Sequence, residues 1–437
     1  MAVIPDLRTR FMAAPLQTYL REIKKTLQSG GATERSYYPA LKRFLEDLVP
    51  GITATPETKR IECGVPDFRI SRASSHGPLT VGYVEAKDLE KPLDKIEKDA
   101  LRSSPSTVDG EQLKRYLRLD NLLFTNFLDF RWYVDGERRG VVSLAVVDSD
   151  GKLGIEQSDA MWLTDILAAF LNHKPQDVST PKDLALRMAK LTHTIRDIVV
   201  TAFETDKASD MLRYLRGAFA KTLIPDLEKT EKTSEFADMF AQTLAYGLFA
   251  ARCNHQGPGR FRRLGAAREI PKTNPFLREL FDTITGTRLD DEPFAGFVDD
   301  LAQLLADCDM AAILEHFGKR TRKEDPVVHF YETFLAAYDP KIREMRGVYY
   351  TPEPVVSYIV RSVDYLLKAR FNCPAGLADT RTIEYERIEE DGKQQRRVKE
   401  KAPRVLLLDP ACGTGTFLYA VVDHIRDEFK RRNDAGM

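Results

Sequence analysis

Three charged side chains lie where two short predicted strands would bring them together. Asp67 begins the first strand, and Glu85 and Lys87 end the second. Because side chains alternate along a strand, Glu85 and Lys87 face the same side while Ala86 points into the packing. Two converging carboxylates would hold Mg²⁺, and a neighbouring lysine could orient or deprotonate water for attack on a phosphodiester. A same-face ion pair without chemistry is the alternative.

A second chemical signal lies in residues Val405–Phe417. Val405–Leu408 predicts a fully buried parallel strand, and the turn after it contains Asp409, Gly413 and Gly415. Glycines at such a turn let the backbone approach a ligand closely, and the carboxylate can reach polar groups of a nucleoside. The pattern favours the first β-loop-α unit of a Rossmann-like sheet. A structural turn in another α/β domain is the alternative.

The order Pro66-Asp67 followed by Glu85-Ala86-Lys87 resembles the PD-(D/E)XK nuclease superfamily. This resemblance implies Mg²⁺-dependent DNA cleavage, with Asp67 and Glu85 as metal ligands and Lys87 as a catalytic residue. Glu34, in the helix before the strands, matches the additional acidic metal ligand of many members. Its alternative role is to complement the dipole of that helix.

Gln112 and Tyr116 resemble the Gln-x-x-x-Tyr motif that follows the core in the helicase-associated branch of these nucleases. Residues four apart share one face of a helix, so both side chains can reach the same pocket or the DNA backbone. The resemblance implies that they belong to the catalytic site. An ordinary amphipathic face is the alternative.

The turn and the helix after Val405–Leu408 resemble the S-adenosylmethionine loop of DNA N6-adenine methyltransferases. The resemblance implies cofactor contacts from five residues of this loop. They are Asp409, Ala411, Gly413, Gly415 and Phe417.

The segment Gly347–Pro352 resembles the methyltransferase motif that covers the methionine end of the cofactor. By this resemblance, Tyr349 or Tyr350 packs near the cofactor and Thr351 binds its carboxylate, helped by the helix that begins at Pro352. A structural helix cap is the alternative.

The two resemblances, with the helical periodicity between them, imply three parts in chain order. Residues 1–175 are expected to form a PD-(D/E)XK-like α/β core, residues 182–337 a helical coupler, and residues 338–437 the start of a methyltransferase. A lone parallel strand cannot satisfy its hydrogen bonds, so we expect the methyltransferase to be incomplete here. The Asn-Pro-Pro catalytic motif is absent from the sequence.

Composition narrows the class of protein. The 437 residues carry 65 Lys and Arg against 66 Asp and Glu, so nucleic acid would bind only to a local basic patch. The loop Cys253–Lys272 offers one such patch, although it could be an ordinary solvated loop. The 5 cysteines lack zinc-ligand spacing. These features, without a signal peptide or an apolar span, predict a cytoplasmic protein with no membrane partner.

The whole arrangement resembles restriction-modification enzymes that carry nuclease and methyltransferase on one polypeptide, and double-stranded DNA is the expected partner. The sequence has no Gly-x-x-x-x-Gly-Lys-Ser/Thr loop, so no ATP-driven motor is expected, and the type IIG design is favoured. The rest of the methyltransferase and a target recognition domain would lie in further sequence or a partner chain. Two alternatives are a phage-defence methyltransferase with an inactive nuclease-like domain and a non-catalytic DNA-binding scaffold.

Overall fold

The protein is described from a computed structural model. The described residues are 7–57, 64–74, 77–147, 153–155, 157–174, 178–222, 224–257, 259–270, 281–318, 326–341, 351–391, 394–412 and 415–434. They form a mixed α/β structure that is mostly helical and contains a mixed sheet. The chain divides into two compact units, Met1–Ile313 and Leu314–Met437. The predicted nuclease and coupler both lie largely within the first unit, and the boundary between them stays a prediction.

The first unit contains the main sheet and most of the helices. Its longer helices are α1 (Leu7–Gln28), α2 (Tyr38–Leu48), α3 (Leu93–Ala100), α4 (Val108–Tyr116), α5 (Gln157–Leu171), α6 (Pro181–Glu204), α7 (Asp210–Thr222), α8 (Thr233–Asn254), α9 (Ala295–Asp307) and the start of α10 (Met310–Gly318). Its strands are β1 (Ile52–Pro56), β2 (Phe68–Arg72), β3 (Leu79–Ala86), β4 (Asn121–Thr125), β5 (Asp129–Val134), β6 (Glu137–Ser143), β7 (Ala145–Val147) and β8 (Leu153–Ile155).

Six of these strands form one sheet in the order β1-β2-β3-β4-β5-β6. Neighbouring strands are antiparallel except β3 and β4, which are parallel. A parallel pair needs a crossover, and α3 and α4 supply it. This crossover connects the end of β3, where Glu85 and Lys87 lie, directly to the helices that follow.

One face of the sheet is buried beneath α1, α2 and α5. Alternate residues of β2 and β3, among them Phe68, Ile70, Val84 and Ala86, pack with these helices in one hydrophobic core. The neighbouring positions therefore point to the opposite face. The predicted orientation of Ala86 into the packing is confirmed.

Asp135-Gly136 between two apolar runs predicts a hairpin, and β5 and β6 confirm it. Its turn residues Asp135 and Gly136 have φ angles of 53° and 80°, the conformation that favours Asp-Gly in tight hairpins. Strand β1 was not predicted, because its segment follows Pro50-Gly51 and has only Ile52 and Ala54 as buried apolar residues.

The helical part of the first unit agrees with the prediction in type, with one difference. Helical periodicity at Leu184–Leu191, Ile195–Phe203 and Pro275–Phe281 predicts three separate helices, but the first two form a single helix, α6. The helix predicted over Pro275–Phe281 lies almost entirely outside the described residues.

Two arginines of the basic loop Cys253–Lys272 form ion pairs within the first unit. Arg263 is 5% exposed, donates to Asp299 at 2.8 Å and also pairs with Asp290. Arg260 pairs with Asp307. These two guanidinium groups are therefore engaged within the unit rather than presented to a phosphate backbone.

The second unit contains the end of α10 and three further helices, α11 (Pro326–Tyr338), α12 (Glu353–Arg370) and α13 (Thr416–Asp434). The strongly charged stretch Thr380–Lys401 predicts an exposed hairpin. The structure has an antiparallel pair there, β9 (Thr382–Asp391) and β10 (Gln394–Pro403). Helices α12 and α13 share a small core through Val356, Val360, Leu377 and Val421.

The buried parallel strand predicted at Val405–Leu408 is wrong for this structure. These residues form no strand, and Leu406 and Leu408 are 77% and 85% exposed. The described residues of this unit supply no sheet neighbour for the segment, so its backbone has no ladder to join. Among the described residues, no helix is both long and apolar enough to cross a membrane.

Candidate functional site

The two predicted metal-binding carboxylates lie across from each other on adjacent strands. Antiparallel pairing places Phe68 opposite Val84, and the same register continued by one residue places Asp67 opposite Glu85. Asp67 Oδ2 accepts a 2.6 Å hydrogen bond from the Ala86 amide, which ties the carboxylate to the end of β3. Both carboxylates are 2% exposed. The structure thus brings Asp67 and Glu85 together, as predicted.

Glu85 has one oxygen bound and one free. Its Oε1 accepts a 2.7 Å hydrogen bond from Lys87 Nζ, whereas Oε2 is buried and has no hydrogen-bond partner among the described residues. Burial raises the pKa of Glu85 well above its usual range, and the nearby Asp67 raises it further, while Lys87 opposes both effects. A buried carboxylate oxygen without a partner is costly, so this atom marks a position suited to a cation or a donor.

Lys87 is held by three polar groups at the end of β3. Its Nζ contacts Glu85 Oε1 and donates to Gln112 Oε1 at 2.6 Å, and it lies 3.5 Å from Asp109 Oδ1. Burial disfavours the charged ammonium, but Glu85, Asp109 and Asp67 outweigh it, so the pKa of Lys87 is raised. The side chain therefore stays protonated at neutral pH. This favours an orienting or charge-stabilising role over that of a general base.

Gln112 and Tyr116 join the same cluster from helix α4. Gln112 Nε2 donates to the Tyr116 hydroxyl at 3.1 Å while its carbonyl oxygen accepts from Lys87. Tyr116 is 1% exposed, and burial raises the pKa of its hydroxyl, with Glu85 adding to the effect. Gln112 and Tyr116 lie on one face of α4, as predicted, and Gln112 contacts Lys87 from that face.

Glu34 reaches the site through a tyrosine. The Tyr38 hydroxyl lies 2.8 Å from Glu34 Oε1 and 2.6 Å from Asp67 Oδ1. Glu34 is half-buried, and burial followed by the charge of Asp67 raises the pKa of its carboxyl. Burial also raises the pKa of Asp67, against the hydrogen bonds from Tyr38 and Ala86.

These carboxylates fit a cation that brings most of its own ligands. Among the described residues, no group of three or more His, Cys, Asp or Glu side chains is arranged to hold a metal ion. Mg²⁺ needs fewer, because it usually binds one or two carboxylates and completes its shell with water and substrate phosphate. Asp67 opposite Glu85, with Oε2 of Glu85 unpartnered, meets that requirement.

The predicted cofactor loop is only partly described. Asp409 Oδ1 accepts a 3.1 Å hydrogen bond from the Ala411 amide, and Asp409 Oδ2 is buried without a partner among the described residues. Gly415 has a φ of 82°, which favours glycine at the position before α13. The unpartnered oxygen and this turn fit a polar ligand such as a nucleoside. Tyr350 and Gly413 lie outside the described residues.

The remaining candidates of the second unit have less distinctive surroundings. Thr351 is half-buried just before α12, and Ala411 is exposed. Phe417 is half-buried and packs against the core that α12 shares with α13. A cofactor contact from each of these residues stays a prediction.

Sequence reasoning missed two residues of the first site. The apolar spacing of α2 predicts that Tyr38 only packs in the core, yet its hydroxyl joins the two acidic residues Glu34 and Asp67. Asp109 lies three positions before Gln112 on α4 and therefore on the same helix face. That spacing was a usable signal, whereas nothing in the sequence showed that Tyr38 would turn toward Asp67.

Comparisons with known proteins give a family match for the end of the chain and a structural likeness over most of it. Residues 322–437 match the family model described as N-6 DNA Methylase. Among solved structures, the chain is similar to the cryo-electron microscopy structure of a DrdV–DNA complex, at 20% identity and a TM-score of 0.32. That alignment covers 96% of this chain and 36% of that chain. No curated protein matches the chain. Its carboxyl-terminal part is thus similar to N-6 DNA methylases.

Proposed function

We propose that this chain is part of a DNA restriction-modification enzyme. In this proposal the first unit cleaves double-stranded DNA with Mg²⁺, and the second unit begins an S-adenosylmethionine-dependent N6-adenine methyltransferase. The nuclease proposal rests on one observation, the convergence of Asp67, Glu85 and Lys87 on a point where Glu85 Oε2 has no partner. The methyltransferase proposal rests on the family match of residues 322–437.

Each residue of the first site has a role in phosphodiester hydrolysis. Asp67 and Glu85 would hold Mg²⁺, which supplies positive charge for the phosphate and acidifies an attacking water. The protonated Lys87 would donate a hydrogen bond to the phosphate oxygen on which negative charge grows. Gln112 fixes the direction of the ammonium group by accepting from it at 2.6 Å.

In the second unit, the match to N-6 DNA methylases supports S-adenosylmethionine as the cofactor. Asp409 would bind polar groups of the cofactor's nucleoside through its unpartnered oxygen. Gly415 would let the backbone approach the cofactor closely, and Thr351 would bind the carboxylate at its methionine end. The cofactor supplies the methyl group.

The test of the nuclease is cleavage of double-stranded DNA by the full-length protein with Mg²⁺. Glu85→Gln removes the charge while preserving the shape, and it is expected to abolish cleavage. Glu90→Gln alters an exposed glutamate near the same strand end and serves as the matched control. Circular dichroism of both variants would establish that they are folded.

Two outcomes would overturn this proposal in different ways. If the wild-type protein methylates adenine but never cleaves DNA with Mg²⁺ or Mn²⁺, the chain belongs to a methyltransferase with an inactive nuclease-like domain. If it neither cleaves nor methylates, and Glu85→Gln leaves Mn²⁺ binding unchanged, the non-catalytic DNA-binding scaffold is favoured.

A further inference from the structure

A second pair of opposed side chains lies next to Asp67 and Glu85 on strands β2 and β3. Arg69 and Tyr83 are directly opposite each other in the β2–β3 pairing. Each lies two residues from a carboxylate, Arg69 from Asp67 and Tyr83 from Glu85, and therefore on the same face of the sheet. The two pairs form successive rungs on that face.

One side chain from the helical part of the unit binds both members of this second rung. Asp300 Oδ1 accepts a 2.6 Å charged hydrogen bond from Arg69, and Asp300 Oδ2 accepts from the Tyr83 hydroxyl. Arg69 also donates to the Thr80 hydroxyl at 2.8 Å. The Asp300 carboxylate thus links β2 to β3 through Arg69 and Tyr83.

The rest of the α9 face orients Asp300. Phe297 stacks on the Tyr83 ring with centroids 5.0 Å apart, and Gln303 accepts from the Thr80 amide at 3.0 Å. Phe297, Asp300 and Gln303 recur at intervals of three residues, so they share the side of α9 that meets the strands. The side chain of Asp300 is only 10% exposed, which strengthens its charged hydrogen bonds.

We propose that Asp300 is a positioning residue that sets the separation of Asp67 and Glu85 by joining Arg69 to Tyr83. This inference rests on the proposed nuclease function, because it gives the helical segment a direct part in the geometry of that site. Because β2 and β3 are held together at Arg69 and Tyr83, they can move little relative to each other two residues further along. The distance between the carboxylates of Asp67 and Glu85 therefore depends on the contacts of Asp300. Loss of these contacts weakens metal binding without touching a metal ligand.

The test uses two mild variants in the full-length protein. Asp300→Asn keeps the size of the side chain but removes the charge and one acceptor, and Tyr83→Phe removes only the hydroxyl and keeps the stacking on Phe297. Asp299→Asn is the matched control, because Asp299 is the adjacent residue of α9 and bonds Arg263 instead.

The primary measurement is Mn²⁺ binding by calorimetry, which does not depend on cleavage. Both test variants are expected to raise the dissociation constant for Mn²⁺ on the order of tenfold, as is typical when support around a metal site is lost. Asp299→Asn is expected to bind Mn²⁺ like the wild type. Asp300→Glu, which keeps the charge, is expected to bind Mn²⁺ more tightly than Asp300→Asn. A fall in melting temperature with unchanged Mn²⁺ affinity would reduce Asp300 to a purely structural ion pair.

DNA cleavage by the wild type distinguishes a failure of the positioning role from a failure of the proposed nuclease function. If the wild type cleaves DNA while Asp300→Asn and Tyr83→Phe retain its metal affinity, the positioning role is overturned and the nuclease stands. If both variants weaken Mn²⁺ binding but the wild type never cleaves, the positioning role stands and the nuclease is overturned. Should Asp300→Asn fail to fold, Tyr83→Phe alone decides the question.

Discussion

The Tyr38 hydroxyl lies 2.6 Å from Asp67 Oδ1 and bridges it to Glu34, whose Oε1 is 2.8 Å away. A hydroxyl has one proton, so it can donate to only one of two ionised carboxylates. The second contact requires a proton on one of the carboxyl groups. Burial raises the pKa of both Glu34 and Asp67, which lets this pair retain that proton.

Tyr38→Phe is expected to weaken Mn²⁺ binding about tenfold. The hydroxyl holds Asp67 in place and lowers the pKa of its carboxyl, so without it a cation must displace a more firmly held proton. Calorimetry in two buffers with different ionisation enthalpies would measure both the affinity and the protons released. Tyr37→Phe, at the adjacent buried tyrosine, is the control and should leave both unchanged.

Glu85→Gln is expected to change the pH dependence of stability when chelator is present. Burial, followed by the charge of Asp67, raises the pKa of Glu85 in the folded protein, so the native state binds more protons than the unfolded state. The free energy of unfolding therefore falls as pH rises from the unfolded value, about 4.3, up to the raised folded value.

Glutamine removes this titration, so the variant's free energy of unfolding should fall less than that of the wild type as pH rises above the unfolded value of about 4.3. Chemical unfolding across this range checks the sign. A wild-type stability that increases with pH in the same window would contradict the assignment of a raised pKa to Glu85.

Gln112→Ala is expected to lower the cleavage rate at saturating Mg²⁺ by roughly 10- to 100-fold. The substitution removes an acceptor from Lys87 and leaves the Tyr116 hydroxyl without its 3.1 Å donor. Single-turnover cleavage measures the rate, and gel-shift titration measures DNA affinity separately. If affinity falls and the rate does not, Gln112 contacts the DNA backbone instead of supporting Lys87.

Residues 1–437 are expected to bind S-adenosylmethionine only weakly, with a dissociation constant of about 1 mM. Leu406 and Leu408 are 77% and 85% exposed, so the segment before Asp409 is not held in a sheet that could fix the loop. Isothermal calorimetry would check this, with Asp409→Asn expected to remove the remaining signal. Micromolar binding by these residues would show that the loop needs no such sheet.

The local parts of the first site could be predicted from the sequence because they depend on short-range periodicity. Alternation along β3 places Glu85 and Lys87 on one face, and helical spacing on α4 places Gln112 and Tyr116 on another. The strand predicted at Val405–Leu408 failed because a buried parallel strand depends on neighbours, which local hydrophobicity cannot reveal. Asp300 was equally hidden, since it lies 217 positions from Tyr83 and resembles any polar residue of an amphipathic helix.

The distance in sequence between Tyr83 and Asp300 also sets how long the first exists without the second during protein synthesis. At translation rates of roughly 5–20 residues per second, the 217 positions between Tyr83 and Asp300 take about 10–40 s to synthesise. During this interval β2 and β3 exist on the ribosome without the carboxylate that joins Arg69 to Tyr83. Ribosome-bound chains arrested before residue 295 should therefore bind Mn²⁺ more weakly than chains arrested after α9 has emerged. The proposed metal site would thus reach its final geometry only after most of the first unit has been made.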